Sequence, residues 1–258
     1  MFKFYGRTQP LAHDPIGRCL QTLQQLGFDG VEICLENPDL HPSQLTHAQA
    51  QGIRDLLQTL GLTSYSVSYH KDYIHEDDEL ALTLKSIEAC PSFGTDLFVF
   101  SGGKRQSHDQ TEWNRLVTRT RQLVACAEEH GVTLALEFEP GFVVGSTADL
   151  LRLMDEIDSP YLMANLDLGH VFLCDPDPIA AIHSLQGKVA HGHIENMRTG
   201  VHDHLLPQEG DIDLAAYLGA LHEIGFDGPL ALDLYKYDYE AVAPEALCFL
   251  RGLASQCI

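Results

Sequence analysis

Short apolar runs alternate with longer amphipathic stretches along the whole chain. The apolar runs favour β-branched and aromatic side chains, and polar or glycine-containing loops separate them from the amphipathic stretches, a pattern that is typical of strands. The predicted strands have the sequences FKFY, GVEICL, TSYSVSY, DLFVFS, VTLALEF, LMANLDL, VAHGHI and LALDLY.

The stretches between these strands have the length and composition of helices, and several end in glycine, as a helix C-terminus often does. Five of them are DPIGRCLQTLQQLG, THAQAQGIRDLLQTLG, ELALTLKSIEACPSFG, EWNRLVTRTRQLVACAEEHG and DLAAYLGALHEIG. Strands that alternate with helices predict βα units and a parallel sheet. Eight such units in 258 residues predict an α/β protein that is a single (β/α)8 TIM barrel, with residues 1–258 as one domain. A doubly wound open sheet is the alternative.

The alternation within individual strands favours the barrel. In VTLALEF, the small or polar residues Thr133, Ala135 and Glu137 share one face and bulky apolar residues occupy the other, and LALDLY alternates in the same way. A barrel needs small or polar side chains towards its axis, whereas an open sheet covered on both faces should be apolar on both. The related segments LGFDGVEI and IGFDGPLALDL also suit a fold built from repeated units.

The charge and the cysteine content limit the partners and the cellular location that we expect for the protein. The chain has 16 basic and 37 acidic residues, a formal net charge of −21, which repels phosphate backbones and anionic membrane surfaces. We therefore expect no nucleic-acid partner and no membrane partner, and the N-terminus MFKFYGRTQP lacks the apolar run of a signal peptide. The seven cysteines form no CxxC pair, so we expect free thiols and a cytoplasmic location.

Four potential metal ligands stand at the ends of the last four predicted strands: Glu137, Asp167, His193 and Asp233. In a TIM barrel the C-terminal ends of all strands open on one face, so these side chains are expected to converge. Any one carboxylate alone would more often be a helix cap, but a cluster of three would repel itself without a cation. The mixed oxygen and nitrogen donors suit Mn²⁺ best, with Mg²⁺, Co²⁺, Fe²⁺ or Zn²⁺ as alternatives.

Other polar residues near these strand ends are candidates for substrate binding. His191 shares a face with His193 but lies deeper, so we expect it to form hydrogen bonds behind the site or to substrate. Glu195 either orients a histidine or the substrate, or is a loop carboxylate without such a role. His170 lies in the loop above the sixth strand and is expected to bind a substrate hydroxyl or a water, and His70 comes after the third strand.

The loops carry weaker signals. SGGKR, after the fourth strand, contains two glycines and two cations, but an exposed turn is the better interpretation. Arg7 is a candidate ligand for a phosphate or carboxylate, and Glu139 is predicted to have left its strand and entered the loop. In VHDHLLPQEGDID, His202 and His204 either reach across the site or are solvated, and this long polar loop is where a lid would lie.

The motifs LALEFEPG, NLDLGH, HGHIEN, PQEGDID and GFDGPLALDLY resemble the sugar-phosphate isomerase/epimerase superfamily of xylose isomerase-like TIM barrels. This group includes ketose 3-epimerases, hydroxypyruvate isomerase, inosose dehydratase, dehydroshikimate dehydratase and endonuclease IV. The resemblance implies a homodimer or homotetramer and a divalent metal held by Glu137, Asp167, His193 and Asp233. It also implies that His170 assists substrate binding and that Arg198 contacts substrate.

Asp233 departs from the family pattern, because the epimerases usually have glutamate there. Aspartate is one methylene shorter, so it can ligate without reaching the substrate carbon, which favours chemistry with one base. The segment PQEG also replaces the PGxG pattern of relatives.

The leading hypothesis is a metal-dependent isomerase or epimerase that acts on a sugar, a sugar phosphate or a related polyol ketone through an enediolate. Glu137 would take or return the proton, and Asp233 would act from the other side or only ligate. The alternatives are a metal-dependent lyase, of the inosose or dehydroshikimate dehydratase type or one that eliminates a sugar from a 3-keto-glycoside, and a non-catalytic barrel subunit or ligand-binding protein. Metal-dependent phosphodiester cleavage fits the acidic chain poorly.

Overall fold

The computed structural model describes residues 2–256 and forms the predicted closed barrel. All neighbouring strands are parallel, and the barrel closes by pairing the first strand with the last. The strands are β1 (Lys3–Arg7), β2 (Gly30–Cys34), β3 (Thr63–Ser68), β4 (Leu97–Ser101), β5 (Thr133–Glu137), β6 (Leu162–Asp167), β7 (Val189–Ile194) and β8 (Pro229–Leu232). The prediction of a single (β/α)8 TIM barrel is confirmed.

Helices surround the barrel and connect its strands. They are α1 (Ile16–Gln25), α2 (His47–Leu60), α3 (Asp77–Phe93), α4 (Gln110–His130), α5 (Thr147–Ile157), α6 (Leu168–Cys174), α7 (Pro178–Ser184), α8 (Leu214–Glu223) and α9 (Tyr239–Ala254). The five helices named from the sequence correspond to α1 to α4 and α8. Two short helices, α6 and α7, connect β6 to β7.

The two faces of the strands differ as the alternation predicts. Leu97, Val99 and Ala135 form a small apolar cluster inside the barrel, and Tyr65 packs against it. The outward residues of the same strands, such as Leu134, belong to the large core between strands and helices. Side chains therefore fill this layer of the barrel interior, as expected for a packed TIM barrel core.

The two related segments adopt the same local structure. Gly27 comes after α1 with φ 85°, and Gly225 comes after α8 with φ 76°. Both glycines thus take up the left-handed conformation that ends a helix at little cost in strain. The aromatic residue after each glycine, Phe28 or Phe226, is buried against the barrel.

Strand β8 is shorter than predicted, because it ends at Leu232. Asp233 nevertheless stays beside β7, since its backbone N–H donates to the carbonyl of Ile194 at 3.1 Å. Within residues 2–256, no helix is long and apolar enough to cross a membrane. The cysteines in this part of the chain are all free.

Candidate functional site

A cavity of about 490 Å³ opens at the C-terminal end of the barrel. Its walls come from the C-terminal ends of β1, β4 and β5, from the loops after these strands and after β3, β7 and β8, and from the start of α6. The residues on its surface that matter for chemistry are Arg7, His70, Glu137, Glu139, His170, His202, His204 and Asp233. Polar groups from distant parts of the sequence therefore surround one space large enough for a small molecule.

Three of the four predicted metal ligands converge beneath this cavity. Donor atoms of Glu137, Asp167 and His193 all lie within 4.8 Å of one another, and all three residues are buried. Asp167 and His193 are direct partners in the register of β6 and β7. Nδ1 of His193 lies 3.1 Å from Oε2 of Glu137 and 3.9 Å from Oδ2 of Asp167. The donor atoms of the three residues therefore face a common point.

The fourth predicted ligand, Asp233, lies in a neighbouring group. Its donor atom is within 4.8 Å of donor atoms of Glu195 and His204, and one of its oxygens accepts a hydrogen bond from the guanidinium of Arg7. Burial alone would raise the pKa of Asp233, but the charge of Arg7 holds that pKa below its ordinary value. Asp233 is therefore ionised and borders the cavity, with one oxygen bonded to Arg7.

Glu32 supports His193 from the other side of its ring. Oε2 of Glu32 lies 2.9 Å from Nε2 of His193, and Oε1 accepts a hydrogen bond from Nε of Arg7 at 2.9 Å. Burial would raise the pKa of Glu32, but Arg7 and His193 hold it well below its ordinary value. The ionised Glu32 accepts the hydrogen bond from Nε2 of His193, so Nδ1 is the nitrogen that faces Glu137 and Asp167.

Asn165 and His191 form the next layer below. Nδ2 of Asn165 donates to Oε2 of Glu137 at 2.8 Å, while Oδ1 of Asn165 lies 2.8 Å from Nδ1 of His191. His191 is fully buried, and burial lowers its pKa to about 3, so its ring is neutral. The structure thus places His191 behind the ligands, as the deeper hydrogen-bonding residue, and does not bring it to the cavity surface.

Two buried carboxylate oxygens near the ligands are left without partners in the described part of the chain, Oδ2 of Asp167 and Oε2 of Glu195. The other oxygen of Glu195 accepts the backbone N–H of Gly169 at 2.9 Å. Burial and the charges of Asp167 and Asp233 raise the pKa of Glu195 well above its ordinary value. Buried polar atoms are rarely unpaired, so these oxygens fit a site that holds a cation.

His170 and His70 reach the cavity from two directions. The side chain of Asp167 accepts the backbone N–H of His170 at 2.8 Å, which fixes the start of α6. Nδ1 of His170 donates to the carbonyl of Phe138 at 2.9 Å. Nδ1 of His70 lies 3.8 Å from Oε2 of Glu137. Both histidines line the cavity.

Arg198 lies apart from the cavity. Its Nε donates to Oδ2 of the buried Asp203 at 2.8 Å, and its side chain is 61% exposed. Since the carboxylate five residues along the same loop holds the guanidinium, the structure does not bring Arg198 to the residues that line the site.

Several residues contribute more to the site than the sequence analysis predicted. Arg7 is fully buried and binds the protein's own carboxylates, Glu32 and Asp233. Glu139 reaches the cavity, and the segment 101–104, expected to be an exposed turn, lines it as well. The alternation along β2 could have identified Glu32 as a site residue, because Glu32 lies on the inward face of that strand.

Comparison with known proteins identifies the family. The family model for xylose isomerase-like TIM barrels matches residues 20–253. The chain belongs to this family.

Two curated relatives have different activities. The chain is 26% identical over 199 residues to a 3-dehydroshikimate dehydratase from Bacillus anthracis, which covers 72% of this chain and 68% of that protein. It is 23% identical over 249 residues to the L-ribulose-5-phosphate 3-epimerase UlaE from Escherichia coli, which covers 90% of this chain and 87% of that protein. A solved structure of an IolI protein with a zinc atom superimposes with a TM-score of 0.81 at 20% identity, covering 99% of this chain and 98% of that one. The two curated relatives are thus a dehydratase of 3-dehydroshikimate and an epimerase of L-ribulose 5-phosphate.

Proposed function

We propose that the protein is a divalent-metal-dependent isomerase or epimerase that acts on a sugar, a sugar phosphate or a related polyol ketone through an enediolate. The observation that carries this proposal is the convergence of Glu137, Asp167 and His193 within 4.8 Å beneath an open cavity. The relationship to an epimerase over most of both chains supports the same chemistry.

The residues fit a divalent cation. Glu137, Asp167 and His193 would hold it, and Asp233 is the candidate for a fourth ligand. Oxygen donors with one imidazole suit Mn²⁺, and the related IolI structure contains zinc. When bound, the ion would supply Lewis acidity that increases the acidity of a C–H bond next to a substrate carbonyl.

The protein's own groups would orient the substrate and move its proton. Glu137 reaches the cavity and is the base that would take or return the proton. The hydrogen bond to the carbonyl of Phe138 holds Nδ1 of His170, and its Nε2, which lies 3.0 Å from Nε2 of His202, would bind a substrate hydroxyl in place of that contact. Arg7 keeps Asp233 ionised, so Asp233 holds a negative charge at the cavity wall.

Exchange of the α-proton with solvent tests this proposal directly. The Mn²⁺-loaded protein is incubated in D₂O with ketoses, ketose phosphates and keto-cyclitols, and the products are analysed by NMR. We expect deuterium at a carbon next to the carbonyl, together with an isomer or epimer. Absence of deuterium at every such carbon across the panel would overturn the proposal.

A dehydratase is the second candidate, and the Arg7–Asp233 ion pair favours it over an epimerase. Epimerisation needs proton transfer on both faces of a carbon, whereas loss of water after α-proton removal can proceed with Glu137 as the single base. The similarity to a 3-dehydroshikimate dehydratase supports this alternative. In the same panel, a rise in enone absorbance without epimer formation would assign the protein to this class.

A further inference from the structure

A second cavity, of about 290 Å³, opens at the opposite end of the barrel, where the strands begin. Residues 64–65 of β3, the segment 94–97 and residues 227–228 before β8 form much of its wall. Its floor includes Leu97, which belongs to the small apolar cluster inside the barrel, and Ala190, which packs against that cluster. None of the described residues lines both cavities, so this one is separate from the candidate site.

The wall of this cavity carries uncompensated negative charge. Asp96 and Asp227 are both exposed there, and within residues 2–256 neither forms an ion pair with a lysine or an arginine. No described lysine or arginine lines the cavity. Burial and the charges of Asp227 and Asp96 raise the pKa of Tyr65, since both carboxylates lie near its phenol. The cavity therefore combines an apolar floor, an aromatic ring and two carboxylates.

We propose that this cavity binds a small organic cation of the alkylammonium class. The charged nitrogen would donate hydrogen bonds to the carboxylates of Asp96 and Asp227 and lie near the ring of Tyr65, while the alkyl chain would cover the apolar floor. A bare metal ion would leave that floor uncovered, and the two carboxylates would repel an anion. The proposal concerns a site remote from the proposed reaction and does not depend on that reaction.

The hydroxyl of Ser64 also indicates a ligand at this place. Ser64 lines the cavity, and its Oγ is buried without a hydrogen-bond partner in the described part of the chain. Buried polar atoms rarely lack a partner. An ammonium group only donates, and a hydroxyl oxygen accepts, so a bound alkylammonium ion would satisfy an atom that the chain itself leaves unpaired.

The aromatic wall is held in place before any ligand binds. The ring of Tyr65 packs edge to face against that of the buried Tyr5, with their centroids 5.6 Å apart and their planes at 86°. The hydroxyl of Thr95 donates to the backbone carbonyl of Tyr65 and accepts the backbone N–H of Leu97 at 3.2 Å. These contacts fix the ring relative to the segment that carries Asp96, which lowers the entropic cost of binding.

An NMR titration with n-butylammonium tests the proposal without an activity assay. We expect saturable shifts of the methyl groups of Leu97 and Ala190, and much weaker binding of 1-butanol and of the ammonium ion. Asp96→Asn/Asp227→Asn should weaken n-butylammonium binding by about fivefold or more, because two ion pairs are lost. Tyr65→Leu should weaken it by about two- to fivefold, whereas Tyr65→Phe keeps the ring and should retain it.

Asp155→Asn/Asp158→Asn is the matched control. These two aspartates line a neighbouring groove at the same end of the barrel, and asparagine tolerates the positive φ of Asp158, 52°. The variant has the same change in net charge and should bind n-butylammonium as the wild-type protein does.

Three results would overturn the proposal: no saturable shift at Leu97 and Ala190, unchanged affinity in Asp96→Asn/Asp227→Asn, or equal weakening in both double variants. The last would mean that the acidic chain attracts cations without a specific site. Deuterium exchange measures the proposed reaction separately, so failure of one proposal leaves the other standing.

Discussion

Glu32 and His193 face each other across the inside of the barrel, with Oε2 of Glu32 2.9 Å from Nε2 of His193. The other nitrogen of that imidazole points to Glu137 and Asp167. A carboxylate on β2 thus decides which nitrogen of a β7 histidine can bind a cation, so the metal-binding property of the site extends beyond the residues that would touch the ion.

Substitution of this supporting carboxylate should weaken metal binding. We expect Glu32→Gln to lower the affinity for Mn²⁺ by about 10- to 100-fold, because a neutral amide oxygen is a weaker acceptor for Nε2–H of His193 and increases the basicity of that ring less than a carboxylate does. Isothermal titration calorimetry of metal-free protein measures this change. Glu223→Gln, at an exposed carboxylate, should leave the affinity unchanged. An unaltered affinity in a folded Glu32→Gln variant would contradict the role given to Glu32.

Two glutamates on β5 and its loop provide a matched pair for the chemistry. Glu137 contacts His193 and Asn165, whereas Glu139 lines the cavity without belonging to the group of Glu137, Asp167 and His193. We expect Glu137→Gln to lower both Mn²⁺ occupancy and α-proton exchange, the latter by about 10²- to 10⁴-fold, as for loss of a catalytic base. Glu139→Gln should retain its Mn²⁺. Elemental analysis and the D₂O assay on both variants check this, and equal loss of Mn²⁺ from the two would be inconsistent with it.

The fold and the centre of the site could be predicted because both depend on periodicity. Strand alternation fixes which residues point inward, and the common direction of parallel strands brings Glu137, Asp167 and His193 to one end. These relationships need no knowledge of side-chain conformation.

Residues whose position depends on a contact across the barrel or within a loop could not be placed in this way. Arg7 was a candidate for an external anion, but the carboxylates of Glu32 and Asp233 bind it, and that pairing depends on the barrel's width and on rotamers. Arg198 is drawn away from the cavity by Asp203, which lies only five residues along the chain. A local ion pair of this kind leaves no periodic signal.

The free thiols should differ strongly in reactivity. Burial raises the pKa of Cys34 to about 12 and that of Cys19 to about 11, whereas Cys248 is exposed. The thiolate is the reactive form, so at pH 8 only about one Cys19 or Cys34 in a thousand or fewer is ionised. Among the thiols of residues 2–256, we expect iodoacetamide to modify Cys248 first, and peptide mass spectrometry locates the label. Early labelling of Cys34 in the folded protein would contradict its burial.

Arg198→Ala distinguishes a substrate contact from a role in the loop. Since the guanidinium is bonded to Asp203 and does not line the cavity, we expect kcat/KM on any substrate found to change by less than about tenfold, the scale of one lost weak contact. Hydrogen exchange should become faster in the segment 199–206, which the Arg198–Asp203 pair holds. A large increase in KM with unchanged exchange would instead assign Arg198 to substrate binding.

Removal of metal should destabilise the fold as well as abolish activity. Glu137, Asp167, Glu195 and Asp233 bring four buried carboxyl groups together, and Arg7 bonds to only the last of them. A ligand that binds only the folded state stabilises it by about 2.7 kcal/mol at a free concentration of about 100 times Kd. We therefore expect Tm in calorimetry to rise by several degrees when Mn²⁺ is added to chelator-treated protein. In Asp167→Asn the same addition should produce a much smaller shift, because one of the converging ligands is gone. An equal rise in both proteins would mean that the stabilising ion binds elsewhere.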